Sequence, residues 1–210
     1  MISIHHYAGS TGNKENLGQN NWGIVMENIV RLKGDKINLC TFRKDQEALE
    51  LYTKWMNDES ILHFIGRNYR VLSIGEEERY VNKEDSELNP NFNIVEASTD
   101  KLIGNCGLHF KIWNRCAILG ICIGEPEGRD KGYGTEVIKM LVKFAFEQLN
   151  AHRVGLSLNG DNKRALRCYE KAGFRLCGVE HDAGFYDRHY CDVLNMEILE
   201  HDYLSDKYKN

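Results

Sequence analysis

The chain has 210 residues, enough for one ordinary hydrophobic core. Lys and Arg number 27 against 31 Asp and Glu, a net charge of -4, so the electrostatic footprint of a nucleic-acid-binding protein is absent. The seven cysteines are scattered and never spaced as CxxC, which argues against a zinc ribbon or a disulfide framework; with no apolar run of ~18 residues and no signal-peptide pattern, the expected location is the cytoplasm, without a membrane partner.

Residues 1–34 are rich in Asn and Gly without sustained periodicity and read as a flexible N-terminal extension. Met1 and Met26 both stand open as the biological start. His5 and His6 lie in that extension and do not make a ligand set, so no metal is expected. The domain is expected over residues 35–200, with 201–210 a charged tail. From Ile37, "INLCTF" alternates as a half-buried strand does, and "QEALELYTKWM" places Leu49, Tyr52 and Trp55 or Met56 at helical spacing. "GEEERYVNKED" predicts a short acidic helix with a solvated face. "NFNIVEAS", "KLIGNCGLHFKIW" and "CAILGICIG" predict an antiparallel meander, whose third strand is apolar on both faces and therefore central.

Next comes "GRDKGYG", and then a helix with Val137, Ile138, Leu141, Val142, Ala145 and Leu149 on one face. "HRVGLSL" reads as a strand. "GDNKRALRCYEKAGF" reads as a helix capped by Asp161 or Asn162, with Gly173 at the left-handed C' position. "FRLCGVE" and "YCDVLNMEIL" close the domain as strands, with "HDAGFYDRHYCD" building the last hairpin. Where a strand feeds a loop that opens a helix, the first helical N–H groups lack partners and attract anionic oxygen. Gly132 and Gly134 keep side chains out of that space, and Arg129 and Lys131 add charge at its rim. A plain helix lead-in, with the glycines serving only the turn, explains the spacing equally well. Val137 breaks GxGxxG and no GxxxxGK[ST] occurs, so dinucleotide and P-loop readings fall away.

Arg129, Gly132 and Gly134 match the pattern Q/RxxGxG/A, and Asn162, Ala165, Tyr169, Gly173 and Phe174 match a second pattern at the proper distance. On these two motifs, residues 35 to 200 resemble the GNAT superfamily of acyl-CoA-dependent N-acyltransferases. "IGEPEGRDKGYGTEVIKMLVKFAF" and "YDRHYCDVLNMEIL" look most like its RimJ/RimL branch, which includes spermidine acetyltransferases. The resemblance implies an α+β fold: a mixed, mainly antiparallel sheet, splayed at its centre, with helices on both faces. It implies transfer of an acetyl group from acetyl-CoA to the primary amine of a small molecule, a polyamine or a protein N-terminus, and a homodimer. By the same resemblance, the backbone of Arg129, Asp130, Lys131, Gly132, Tyr133, Gly134 and Thr135 holds the coenzyme A pyrophosphate. Ile121, Cys122 and Ile123 lie along the pantetheine arm. Asn162, with Ala165 of the same motif, meets the arm near the thioester. Lys163, Arg164 and Arg167 either meet the adenosine 3'-phosphate or form a solvated helix face.

A protonated amine, with a pKa near ~10.4 for a lysine-like group, has no lone pair and must lose a proton before it attacks a thioester. The departing thiolate must be stabilised, and the motif match assigns that role to Tyr169. Relatives often carry an acid where this chain has Ile118, so proton removal stays open between Glu96, His109 and water. Tyr186 or Tyr190 would border the acceptor pocket. Cys122 or Cys168 as a nucleophile is a rival, but no Cys and His pairing that would activate one is visible. The other alternative is a non-catalytic acyl-CoA-binding sensor, which the missing acid favours and Tyr169 disfavours.

Overall fold

The computed structural model describes residues 27–65, 71–84 and 89–207. The expected extension up to residue 26, with His5, His6, Met1 and Met26, lies outside the described residues. The sheet begins earlier than the expected boundary at residue 34. Strand β1 (Val30–Lys33) pairs antiparallel with β2 (Ile37–Thr41). The turn between them is held from far along the chain: the Asp35 and Lys36 amides donate to Glu136 Oε1 at 2.7 and 3.0 Å. No local sequence signal reports a bond across a hundred residues.

Helix α1 (Gln46–Trp55) starts at Asp45, whose carboxylate accepts from the Ala48 amide and is clamped by the Arg43 guanidinium at 2.7 Å. Helix α2 (Glu59–Ile65) follows and buries Ile61, Leu62 and Ile65. Helix α3 (Ile74–Glu84) is the expected acidic helix, but its face is not wholly solvated: Glu77 is 5% exposed and Val81 is buried beside α1 and α2.

The meander forms as its alternation requires. Strands β3 (Asn91–Glu96), β4 (Leu102–Lys111) and β5 (Cys116–Ile123) pair antiparallel in turn. Then come α4 (Tyr133–Glu147), β6 (Arg153–Asn159), α5 (Lys163–Lys171), β7 (Arg175–Tyr186) and β8 (His189–Leu199). The spatial order is β1-β2-β3-β4-β5-β6-β8-β7, and only β5 and β6 run parallel. Helix α6 (Glu200–Lys207) occupies most of the expected charged tail, because Tyr203 stacks on Phe146 at 4.8 Å and donates to Glu147 at 2.7 Å.

Helices cover both faces. On one, Val137, Ile138, Leu141, Val142 and Ala145 of α4 pack against the sheet with Leu119, Val154 and Leu156. Each of the larger side chains removed from water contributes roughly 1.5–3 kcal/mol. On the other face, Trp55, Tyr52 and Ile61 pack with Cys40, Val95 and Cys122. The feature that positions the site lies between the two parallel strands: β5 and β6 pair only from Cys116–Arg153 to Ile118–Gly155, although β5 continues to Ile123 and β6 to Asn159. Beyond Ile118 the sheet forks.

Candidate active site

A cavity of about 330 Å³ fills the fork. Its floor is the unpaired length of β5, with Ile121, Cys122 and Ile123. One wall is the loop from Gly128 and the first turn of α4, with Arg129, Asp130, Gly132, Gly134, Thr135 and Ile138. The opposite wall is α5, with Asn162, Ala165, Cys168 and Tyr169.

The loop turns by two left-handed residues, Asp130 at φ 60° and Gly132 at φ 84°. Gly132 is also the N-cap of α4 and makes no side-chain cap bond. Alternating left-handed residues ahead of a helix aim successive N–H groups into one concavity, the arrangement that takes phosphate oxygens. The two glycines act differently. Gly132 is required by its backbone angle. At Gly134 a Cβ would meet only Cys168 Sγ, at 3.9 Å, so its small size serves the cavity and not the packing.

Behind the loop stands a buried anchor. Glu125 is 7% exposed and accepts from Trp55 Nε1 at 2.9 Å, with Lys101 Nζ at 2.9 Å and Lys54 Nζ at 3.4 Å. Burial raises its pKa, but the hydrogen bonds from Trp55 and Lys101 and the positive charges of Lys101 and Lys54 outweigh it and hold the carboxyl at about 2. The neighbouring Gly124 lies so close to the Trp55 indole that a Cβ there would overlap the ring. Arg129 leans back onto Ser60 Oγ at 3.2 Å and the Gly124 carbonyl at 3.4 Å, and its Nε is buried without a partner among the described residues.

Of the residues expected at the cofactor, Lys131 and Tyr133 do not line the cavity. Lys131 Nζ reaches Glu96 at 3.4 Å and the Tyr133 hydroxyl donates to Glu96 at 2.5 Å, so both side chains turn to the outer side of the loop. Glu96 is held well away from base duty: donors from Thr99, Tyr133 and Lys131 bring its pKa down to about 2. Arg164, Arg167 and Lys171 line the cavity along one face of α5, whereas Lys163 bonds back to the Gly160 carbonyl at 2.6 Å. The α5 cap is Asn162, whose Oδ1 accepts from the Ala165 amide at 3.0 Å, and Gly173 takes φ 96° as its position demands. Asp161 instead receives the Tyr186 hydroxyl at 2.5 Å and faces His189 at 3.3 Å. Tyr186 is buried against His63, with ring centroids 3.9 Å apart, and Tyr190 is 63% exposed; neither lines the cavity.

Tyr169 is 3% exposed at the inner end of the α5 wall, edge-on to Phe174 at 5.8 Å. Burial pushes its phenol well above the usual range, so it is protonated at neutral pH. No hydrogen bond to the described residues engages its hydroxyl. Burial likewise pushes the Cys122 thiol up to about 11, and among the described residues no histidine lines the cavity beside Cys122 or Cys168, which leaves the cysteine-nucleophile rival without an activating partner there. Sequence reading missed Ser60, Ile61, Phe64 and Ile65 of α2, which roof the cavity; only the helical spacing of 61, 64 and 65 hints at them.

The profile of the Acetyltransferase (GNAT) domain matches residues 36–175. The chain belongs to the GNAT acetyltransferase family. It is 29% identical over 158 residues to spermidine N(1)-acetyltransferase of Vibrio cholerae, covering 70% of this chain and 91% of the relative. The N-acetyltransferase 9-like protein of Caenorhabditis briggsae is 26% identical over 177 residues, covering 73% and 88%. The crystal structure of spermidine N-acetyltransferase from Vibrio cholerae in complex with CoA and spermine matches with a TM-score of 0.72 at 26% identity, covering 80% of this chain and 98% of that one. The splayed α+β fold is thus the GNAT fold, and the chain is an acetyl-CoA-dependent N-acetyltransferase that acetylates an amine. The sensor alternative gives way to that result.

Proposed function

We propose that this enzyme acetylates a polyamine-like primary amine, with Tyr169 opposite the departing sulfur and the Arg129–Thr135 loop holding the coenzyme A pyrophosphate. The observation that carries this reading is the single cavity into which the unpaired edge of β5, the left-handed loop and Tyr169 all open. Bound there, acetyl-CoA supplies an activated acyl group with a sulfur leaving group. Arg164, Arg167 and Lys171 supply positive charge along the α5 wall, where the 3'-phosphate of the cofactor would meet them. The Tyr169 phenol is a weaker acid than a thiol of pKa ~8.5. It therefore acts by donating a hydrogen bond to the sulfur, and the net proton comes from the attacking nitrogen.

The acceptor class rests on the Vibrio relative, named for spermidine, and on the net charge of -4. The RimJ/RimL likeness of residues 123–146 belongs to the same reading, as does a cytoplasmic location, with which seven free thiols accord. Among the described residues no helix is long and apolar enough to cross a membrane. Self-association belongs to it too: a solved form of the Vibrio enzyme is described as dodecameric, and the long strand β7 here exposes Leu176, Val179 and Phe185. The deciding experiment offers acetyl-CoA with spermidine, spermine, free amino acids and peptides bearing a free N-terminus, and follows thiol release. Polyamines are expected to give a kcat/KM at least ~100-fold above the peptides. A peptide preference would replace the polyamine with a protein N-terminus.

A further inference from the structure

The amine arrives protonated, and nothing assigned so far removes its proton. The carboxylates near the fork are committed elsewhere. Glu96 is bonded on the outer side of the loop, and Glu125 is locked between Trp55 and two lysines. Glu197 is held by Arg153 at 2.7 Å and Arg175 at 3.3 Å, and Asp161 takes the Tyr186 hydroxyl. Asp130, the one carboxylate among the described residues that line the cavity, stands 77% exposed at its mouth, 3.9 Å from Arg164.

Histidine 109 is placed differently. On β4, Cys106 and Leu108 face α4 in the main core, so alternation puts His109 on the opposite face. Its cross-strand partner is Ile118, and Ile118 pairs in turn with Gly155 in the last rung before β5 and β6 part. His109 therefore shares a face with the vertex of the fork. Two residues along that face, the space over Gly120 is open: a Cβ built there meets nothing within 4 Å, in a strand whose other face is packed. The ring is half-buried, its Nδ1 is buried with no hydrogen-bond partner, and no bond to the described residues fixes it. A buried imidazole nitrogen left without a partner is costly in a purely structural role.

We propose that His109 is the proton acceptor for the attacking amine, which enters over Gly120. The proposal rests on the amine-acetylation reading above. The ammonium gives one proton to the imidazole, and the freed nitrogen lone pair forms the C–N bond to the acyl carbon. The C–S bond breaks with its electron pair on sulfur, where Tyr169 donates. The second proton leaves the acylated nitrogen for the thiolate, and His109 returns its proton to solvent.

The test, run at mildly alkaline pH, pairs the amine that the wild-type enzyme acetylates fastest with its β,β-difluoro analogue, whose weakly basic nitrogen is by then mostly unprotonated while the parent amine is still mostly protonated. In His109→Ala, kcat for the basic amine is expected to fall ~100-fold, the usual worth of a general base, and by less than ~5-fold for the fluorinated amine. The KM for acetyl-CoA should stay within about twofold, and added imidazole should restore part of the lost rate. His109→Gln, which keeps the packing, should behave like His109→Ala without rescue. Equal losses for both amines, or wild-type rates in His109→Gln, would overturn the assignment of His109 alone. Absence of turnover in the wild-type enzyme with every amine would sink the acetylation reading itself.

Discussion

On one side of the fork, two short stretches of chain, residues 121–138 and 162–171, supply most of the cavity lining: the glycine loop with its left-handed turns, the edge of β5, and the basic face of α5. The proposed acceptor side is assembled differently. It would draw on His109 from β4, Gly120 from β5, α2 as a roof, and Tyr186 from the last hairpin against His63. On the reading proposed above, the first region would recognise a constant group by the backbone geometry of its loop; the second is a collection of side chains that only the tertiary fold brings together. Changes on the cofactor side should therefore act through affinity or a single hydrogen bond, and leave the fold intact.

The sharpest test of that division is Tyr169→Phe. The hydroxyl makes no bond to the described residues, so its removal should not lower the melting temperature, whereas loss of a donor to a developing anion typically costs 10²–10³-fold. The expected outcome is a kcat lower by about two orders of magnitude with the KM for acetyl-CoA within about twofold. A kcat within threefold of wild type would remove Tyr169 from the chemistry.

Next in size is Gly134→Val. Among the described residues, a Cβ there meets Cys168 Sγ alone within 4 Å, at 3.9 Å, so the apo protein should melt normally. Coenzyme A affinity should fall ~100-fold, or about 2.7 kcal/mol, by calorimetric titration. Gly132→Ala serves as its mirror image: the φ of 84° makes the backbone the constraint, at about 1 kcal/mol of stability. If Gly134→Val unfolds the protein instead, the glycine is there for packing and the cradle argument fails.

How much of this could be read beforehand follows the same line between the two regions. Gly132, Asn162, Gly173 and the face of α4 were legible because caps, left-handed positions and helical periods are local codes. The meander and its central strand were legible from alternation. Strand β1 was not, since its turn is held by Glu136 from α4, nor was α6, whose docking depends on Tyr203 finding Phe146. The motif marks Lys131 and Tyr133 by their backbone; the direction of their side chains is set by Glu96 on β3, which the motif cannot see. The roof residues of α2 and the setting of His109 were hidden for the same reason.

The smallest expected effect joins the two regions through Glu125, which ties Trp55 of α1 to the start of the loop that leads into α4. Its folded-state pKa of about 2 lies below the ordinary value of 4.5, so the stabilisation is fully present above about pH 4.5 and is lost as pH falls through about 2. Glu125→Gln keeps an acceptor for the Trp55 N–H but loses attraction to Lys54 and Lys101, both more than half exposed, so the cost at neutral pH should be only about 1 kcal/mol. Denaturation curves of the two proteins should therefore differ at pH 7, keep that gap down to about pH 4.5, and converge toward pH 2. A constant gap across the whole range would mean that the carboxylate charge contributes nothing. Because the loop that follows carries the cradle, the same substitution should raise the KM for acetyl-CoA a few-fold while leaving the KM for the amine unchanged, which separates an anchor of the loop from a general loss of stability.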